Sequence, residues 1–223
     1  MGETELHQGW MIRIQDLLRQ RYRNQHVHVG SDLLVYYEEG NPRRFVVPDV
    51  FVVLDCDPGL RRTFRIWEER RVPDVVFEVT SRSTRHQDQV FKPQLYGQLG
   101  VKELFLYDPS ADYLEPPLRG FRLANGTMEP IPEHDETLAC RTLGIELSLL
   151  DNELILADAA TKQPLLTRAE VAEQAEQQAL RAEQQALQAL DRERRAAYEA
   201  QQAAQARIAE LEEKLRQLQR ESD

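Results

Sequence analysis

Cysteine is scarce in this 223-residue chain: Cys56 and Cys140 lie far apart, in no metal-ligand spacing. Neither a structural zinc site nor a disulfide framework can be built from them. The five histidines, His7, His26, His28, His86 and His134, show no ligand spacing either. Long apolar stretches are also missing. With no run of about eighteen apolar residues, no membrane-spanning helix is expected and no membrane partner. Positive charge is short as well: Lys and Arg total 28 against 38 Asp and Glu, a formal net charge of −10. That balance argues against a protein held on nucleic acid mainly by bulk charge, while leaving room for a local basic groove. No signal-type segment is visible near the N-terminus, so both thiols are expected to be free in a reducing, cytoplasmic setting.

Glycine and proline vanish after about residue 168, and Tyr198 is the one aromatic left there. What remains is mostly Ala, Gln, Glu, Arg and Leu, good helix formers. AEQQALR at 175–181 is followed directly by AEQQALQ at 182–188, a period of seven. Seven is the spacing of a coiled-coil seam. Starting from Leu180 and Leu187, the seam continues through Leu190, Ala197, Ala204, Ile208, Leu211, Leu215 and Leu218, with Arg194 and Gln201 interrupting it. A continuous helix of about 52 residues would measure roughly 78 Å. The expectation is a C-terminal coiled-coil arm over 166–223 that mediates homo-oligomerisation or binds a partner, after a domain spanning 1–165.

That first part reads as α/β. Residues 4–22 carry apolar positions at Leu6, Trp10, Ile12, Ile14, Leu17, Leu18 and Tyr22, an amphipathic helix. Two extended pieces are expected around Gly30, a turn at 40–43, and strands over 46–54, 75–81 and 105–109. A helix is expected around 87–98, and hairpins turning at Asn125-Gly126 and Asp151-Asn152. Thr167 and Glu170 have the spacing of a capping box where the long helix begins.

Two acids stand out because they interrupt strand-forming runs. Glu78 sits inside VVFEV and Asp49 inside VVPDVFVV. A lone buried carboxylate is costly, so each should be paired, protonated or bound to a metal. Pro48 marks a strand start, edge or bulge, which can aim Asp49 into a cleft. Two carboxylates on adjacent strands suit a hard cation such as magnesium or manganese. Lys92, fourteen residues after Glu78, could reach them from a helix that folds back and could orient an attacking water. The competing reading is a structural acid pair held by backbone donors or by Arg44, Arg82 or Arg85. Pro73-Asp74 is a second Pro-Asp pair, with Asp74 read as a turn residue. The run Arg61, Arg62, Arg65, Arg70 and Arg71 could track phosphates, but Glu68 and Glu69 interleave with it.

PDVFVV, then PDVVFEVTSRST, then Lys92-x-x-x-Tyr96, then GVKELFLYDP together resemble the Uma-two family of restriction-endonuclease-like proteins, over about residues 5 to 160. The resemblance implies a PD-(D/E)XK fold: a mixed sheet flanked by helices, here followed by the long helix. It implies a magnesium-dependent (Mg2+, with Mn2+ as a substitute) endonuclease acting on nucleic acid, DNA foremost. Asp49 would match the acid of the PD motif and Glu78 the second acid, both as metal ligands, with the backbone carbonyl of Val79 joining them. Thr80 stands where the simplest motif has lysine, and Lys92 matches a catalytic lysine moved to the following helix. The alternative is a nuclease-fold scaffold without turnover, acting as a coiled-coil interaction or regulatory protein.

Overall fold

The structure, a computed structural model, describes residues 5–82 and 84–221, with side chains up to residue 216. By contacts the chain forms two compact units, Met1–Ala169 and Glu170–Asp223. In chain order the first contains α1 (Glu5–Arg21), β1 (Val27–Ser31), β2 (Val35–Tyr36), β3 (Phe45–Val46), β4 (Val50–Leu54), β5 (Phe64–Arg65), the short α2 (Ile66–Glu69) and β6 (Val75–Val79). A π-helical turn, Gln87–Phe91, then runs into α3 (Lys92–Leu99). After it come β7 (Glu103–Tyr107), β8 (Leu118–Ala124), β9 (Thr127–Pro130), β10 (Thr137–Cys140), β11 (Ile145–Leu150) and β12 (Glu153–Asp158). Among the described residues the second unit is formed by the helix α4 (Arg168–Glu221), 54 residues long and beginning two residues before the boundary. No helix among the described residues is long and apolar enough to cross a membrane.

The main sheet has the order β1-β4-β6-β7-β8-β9. Only β6 and β7 run parallel; every other neighbouring pair is antiparallel. A parallel pair cannot be closed by a tight turn and needs a crossover, here supplied by α3. Strand alternation sorts the side chains into two cores. Val50, Val52, Val75, Phe77, Val79, Phe105 and Tyr107 face one side with Met11, Ile14, Leu17 and Leu18 of α1. Phe51, Val53, Val76, Leu104 and Leu106 face the other with Leu95 and Tyr96 of α3. The sheet is therefore covered on both faces where it holds its most apolar strands, which is why these strands read as near-continuous Val, Leu and Phe.

Several local expectations hold, with informative shifts. In α1 the buried stripe is His7, Met11, Ile14, Leu17 and Leu18, while Leu6 and Ile12 face solvent at 50% and 66% exposure. Positions 6 and 12 fall off the three-and-four spacing of that stripe. Gly30 lies inside β1 and does not divide two strands; the break comes after Ser31, where Asp32 takes a positive φ of 49°. A Cβ on Gly30 would lie 2.3 Å from the Phe51 ring, so the glycine is there for close approach. The run 46–54 is two strands, interrupted at Pro48 and Asp49. Asn125-Gly126 and Asp151-Asn152 all have positive φ and turn hairpins, as their residue types require. The helix expected near 87 begins as a π-helical turn and becomes α-helical at Lys92.

Gly30→Ala should lower stability by about 1–3 kcal/mol through overpacking against Phe51. The readout is a lower urea midpoint at unchanged slope, and adding Phe51→Leu should recover part of the loss. An unchanged midpoint in the single variant would show that the ring yields without cost.

Candidate active site

Pro48 has no N–H to give a ladder, so β3 stops at Val46 and β4 begins at Val50. The interruption is pinned from β1: Ser31 Oγ donates to the Asp49 carbonyl at 2.7 Å, and Asp32 N–H reaches the carbonyls of Pro48 and Asp49, both at 3.2 Å. The antiparallel register of β4 and β6 pairs Val50 with Phe77. Continued one step, it sets Asp49 opposite Glu78, and two hydrogen bonds bear this out. Val79 N–H donates to Asp49 Oδ2 at 2.6 Å, and Asp49 N–H approaches Glu78 Oε2 at 3.4 Å.

The crossover brings the third residue. Pro93 is tolerated because it falls in the first turn of α3, where no intrahelical N–H is needed. Lys92 opens that helix and its Nζ donates to Glu78 Oε2 at 2.6 Å. Asp88 and Tyr96 stand four residues before and four after Lys92, on the same helical face. Asp88 Oδ1 pairs with Lys92 Nζ at 2.9 Å, and Tyr96 Oη donates to Glu78 Oε1 at 2.5 Å. From the opposite side of the sheet, His7 Nε2 lies 3.2 Å from Asp49 Oδ2. Asp49, Glu78 and Lys92 are thus brought together, and all are buried. Of Val79, it is the N–H that touches Asp49.

Charge in this cluster does not balance. Three carboxylates, Asp49, Glu78 and Asp88, surround one ammonium. Burial pushes the Glu78 carboxyl up to about 8, against the opposing pull of Lys92 and with Asp49 and Asp88 adding to the rise. Asp88 rises for the same first cause. Lys92 is held protonated: burial works against its charge but Glu78, Asp88 and Asp49 outweigh it. Burial also raises the Tyr96 hydroxyl, which stays a donor.

Other buried acids of the domain behave differently. Glu103 is desolvated too, yet N–H of Thr142 and the Arg122 guanidinium outweigh burial and lower its pKa. Asp108 accepts from Ser110, Tyr113 and Leu114 and is likewise lowered in spite of burial. Those carboxylates are satisfied by fixed donors and serve structure. Asp74 belongs with them, taking Leu54 N–H at 2.7 Å and Lys102 Nζ at 2.8 Å. Arg61 and Arg65 of the arginine run are committed to Glu69 and Glu68.

The donor chemistry fits a hard divalent cation that takes carboxylate oxygen from Asp49 and Glu78 and fills its other positions with water or phosphate oxygen. Among the described residues no three His, Cys, Asp or Glu side chains form a cage, so the protein by itself would supply a partial ligand set. Sequence reasoning passed over His7 and gave Asp88 and Tyr96 no firm role. His7 carried a signal: it falls on the buried stripe of α1, four residues before Met11 and seven before Ile14. Asp88 and Tyr96 carried one in their four-residue spacing from Lys92.

Because the folded protein holds a proton on Glu78 that the unfolded chain releases near 4.5, the cluster contributes most stability below that pH. The contribution declines as pH rises from about 4.5 to about 8, by on the order of 1 kcal/mol per pH unit. Asp88 adds the same sign. In chelator, Glu78→Gln should flatten the fall in urea midpoint across that window relative to wild type. Equal slopes in the two proteins would contradict the assignment.

A crystal structure described as that of "a putative nuclease belonging to DUF820", from Anabaena variabilis, is similar at 16% sequence identity and a TM-score of 0.47, covering 64% of this chain and 76% of that one. No curated protein matches the chain. A family model, Uma2, described as "Putative restriction endonuclease", matches residues 1–151. The matched stretch carries Asp49, Glu78 and Lys92 with the strands and crossover helix that bring them together, and, as it takes in well over half of the sequence, the chain belongs to the Uma2 family.

Proposed function

We propose that the first unit is a metal-dependent endonuclease that hydrolyses phosphodiester bonds in nucleic acid, DNA foremost, using magnesium with manganese as a substitute. The observation that carries this reading is the buried pair Asp49 and Glu78, opposed across β4 and β6, with the Lys92 ammonium 2.6 Å from Glu78. Three carboxylates against one ammonium leave negative charge that a divalent cation would neutralise. The family's description points the same way.

Asp49 and Glu78 would hold the ion, with the Val79 carbonyl as a third oxygen. When bound, the ion supplies Lewis-acid polarisation of the phosphate and a water of lowered pKa. The chain's own residues do the positioning. Val79 N–H and His7 orient the Asp49 carboxylate, and Tyr96 fixes one oxygen of Glu78. Lys92, kept close by Asp88 once it leaves Glu78, would offer its positive charge to the attacking water and to the phosphate, orienting the one and offsetting charge on the other. Exposed Arg82 and Arg85, on the segment joining β6 to α3, offer local positive charge for the backbone of a strand in an otherwise acidic protein.

One observation favours the second reading, a nuclease-fold scaffold without turnover. Both oxygens of Glu78 are already taken, by Tyr96 and Lys92, and the residue has no exposure. For Glu78 to hold an ion, Lys92 would have to leave its carboxylate.

Manganese titrated into the full chain by calorimetry should bind wild type, and Asp49→Asn and Glu78→Gln should each abolish binding. Lys92→Met should still bind manganese but cleave plasmid DNA with magnesium at least about 100-fold more slowly than wild type. Metal binding without cleavage of any nucleic acid offered would support the scaffold, and binding that survives both acid substitutions would displace the site.

A further inference from the structure

The helix α4 presents an apolar seam that its own chain leaves uncovered. Leu180, Leu187 and Leu190 are 55%, 57% and 45% exposed, and Ile208, Leu211 and Leu215 are 57%, 47% and 58% exposed. All fall on the a and d positions of one heptad frame, with Leu180, Leu187, Ile208 and Leu215 at a and Leu190, Leu211 and Leu218 at d. The side chain of Leu218 lies outside those described, and its place in the frame is read from sequence. Exposed at this density, the seam is built to be covered by another helix of matching period.

We infer that the occupant is a second copy of this chain, paired with the first as a parallel, in-register, two-stranded coiled coil. The flanking charges choose the orientation. In the heptads around the C-terminal zipper, Arg207 and Lys214 occupy g and Glu212 occupies e. A parallel pair sets each g position beside the e position five residues on in the other helix, so Arg207 meets the partner's Glu212, twice by symmetry. Antiparallel pairs instead set g beside g and e beside e. In the two antiparallel alignments that overlap the zipper, Arg207 meets a lysine, or Lys214 and Glu212 each meet their own copies, and like charges oppose.

The core residues point to two strands. Ile208 at a followed by Leu211 at d is the combination that favours a parallel dimer. Arg194 and Gln201 at a are tolerated best where an a side chain can reach water at the edge of a two-stranded seam. Arg194 also follows Glu193 at g, so in the parallel pair the partner's Glu193 lies beside it. These polar layers weaken the middle of the coil and penalise any shifted register, which would bury Arg194 or Gln201 against leucine. The inference is independent of whether the first unit cleaves phosphodiesters, since no residue of that unit enters it.

Sedimentation of the full chain tests the stoichiometry, and engineered cysteines test the orientation. At tens of micromolar, wild type should sediment at twice the chain mass of 25.9 kDa. Leu211→Asp should shift it to monomer while leaving the thermal transition of the first unit in place. Ala197→Cys and, in a separate protein, Ala204→Cys should each crosslink to its own copy under mild oxidation, since Cys56 and Cys140 are buried and out of reach. An antiparallel pair can bring at most one of these positions against itself. Crosslinking at one or neither, a monomer, or a trimeric or tetrameric mass would each overturn the inference.

Discussion

The carboxylate of Glu78 is the constraint around which the domain is arranged. It has no contact with solvent, and its two oxygens are met by Lys92 at 2.6 Å and Tyr96 at 2.5 Å. Supplying those partners requires a helix above the C-terminal end of β6, and the parallel β6–β7 pair provides one because it must be closed by a crossover. Setting Asp49 opposite Glu78 requires a strand that starts late, and Pro48 enforces that start. The π-helical turn before Lys92 lets Asp88, Lys92 and Tyr96 share one face as the chain comes down onto the sheet. Such turns recur at functional sites, where regular hydrogen bonding has been given up for placement.

Exposure alone does not set how a buried carboxyl is held. Glu103 and Asp108 are as closed to solvent as Glu78 but less deeply desolvated, and fixed donors around them lower their pKa values. Glu78 and Asp88 are raised chiefly by burial, which a single ammonium shared among three carboxylates does not offset. A cluster left short of positive charge takes up a proton or a cation. This is the physical sense in which the site is unfinished, and it separates these acids from Asp74, which a second Pro-Asp pair could have put forward as an equal.

Much of this was legible because the strands are short and strongly patterned. Glu78 was visible as a polar residue inside Val75–Val79, and Asp49 as one directly behind a proline that must end or begin a strand. The hairpins at Asn125-Gly126 and Asp151-Asn152 were legible from residues that tolerate positive φ. Other features depended on long-range packing. Gly30 read as a divider, yet it is a strand residue thinned to admit the Phe51 ring, a neighbour 21 positions away in sequence. His7 could be placed on a helix stripe, but its approach to Asp49 depends on where α1 crosses the sheet. The arginine run could be read either as a phosphate track or as a solvated segment, and ion pairs with Glu68 and Glu69 account for Arg65 and Arg61 in it.

Two units with different physics share the chain. The first is held by a sheet covered on both faces, while the second is a 54-residue helix whose apolar seam is left exposed. The central claim concerns the first: on the proposed reading, Asp49 and Glu78 would hold a divalent cation that offsets the charge imbalance around Glu78, and Lys92 would then leave that carboxylate. Crystals of the full chain soaked in manganese, with diffraction recorded at the manganese absorption edge, test it most directly. The account predicts an anomalous peak between the Asp49 and Glu78 carboxylates, with Lys92 Nζ moved off Glu78 Oε2. No peak there, with the ammonium still seated on Glu78 at saturating manganese, would contradict it.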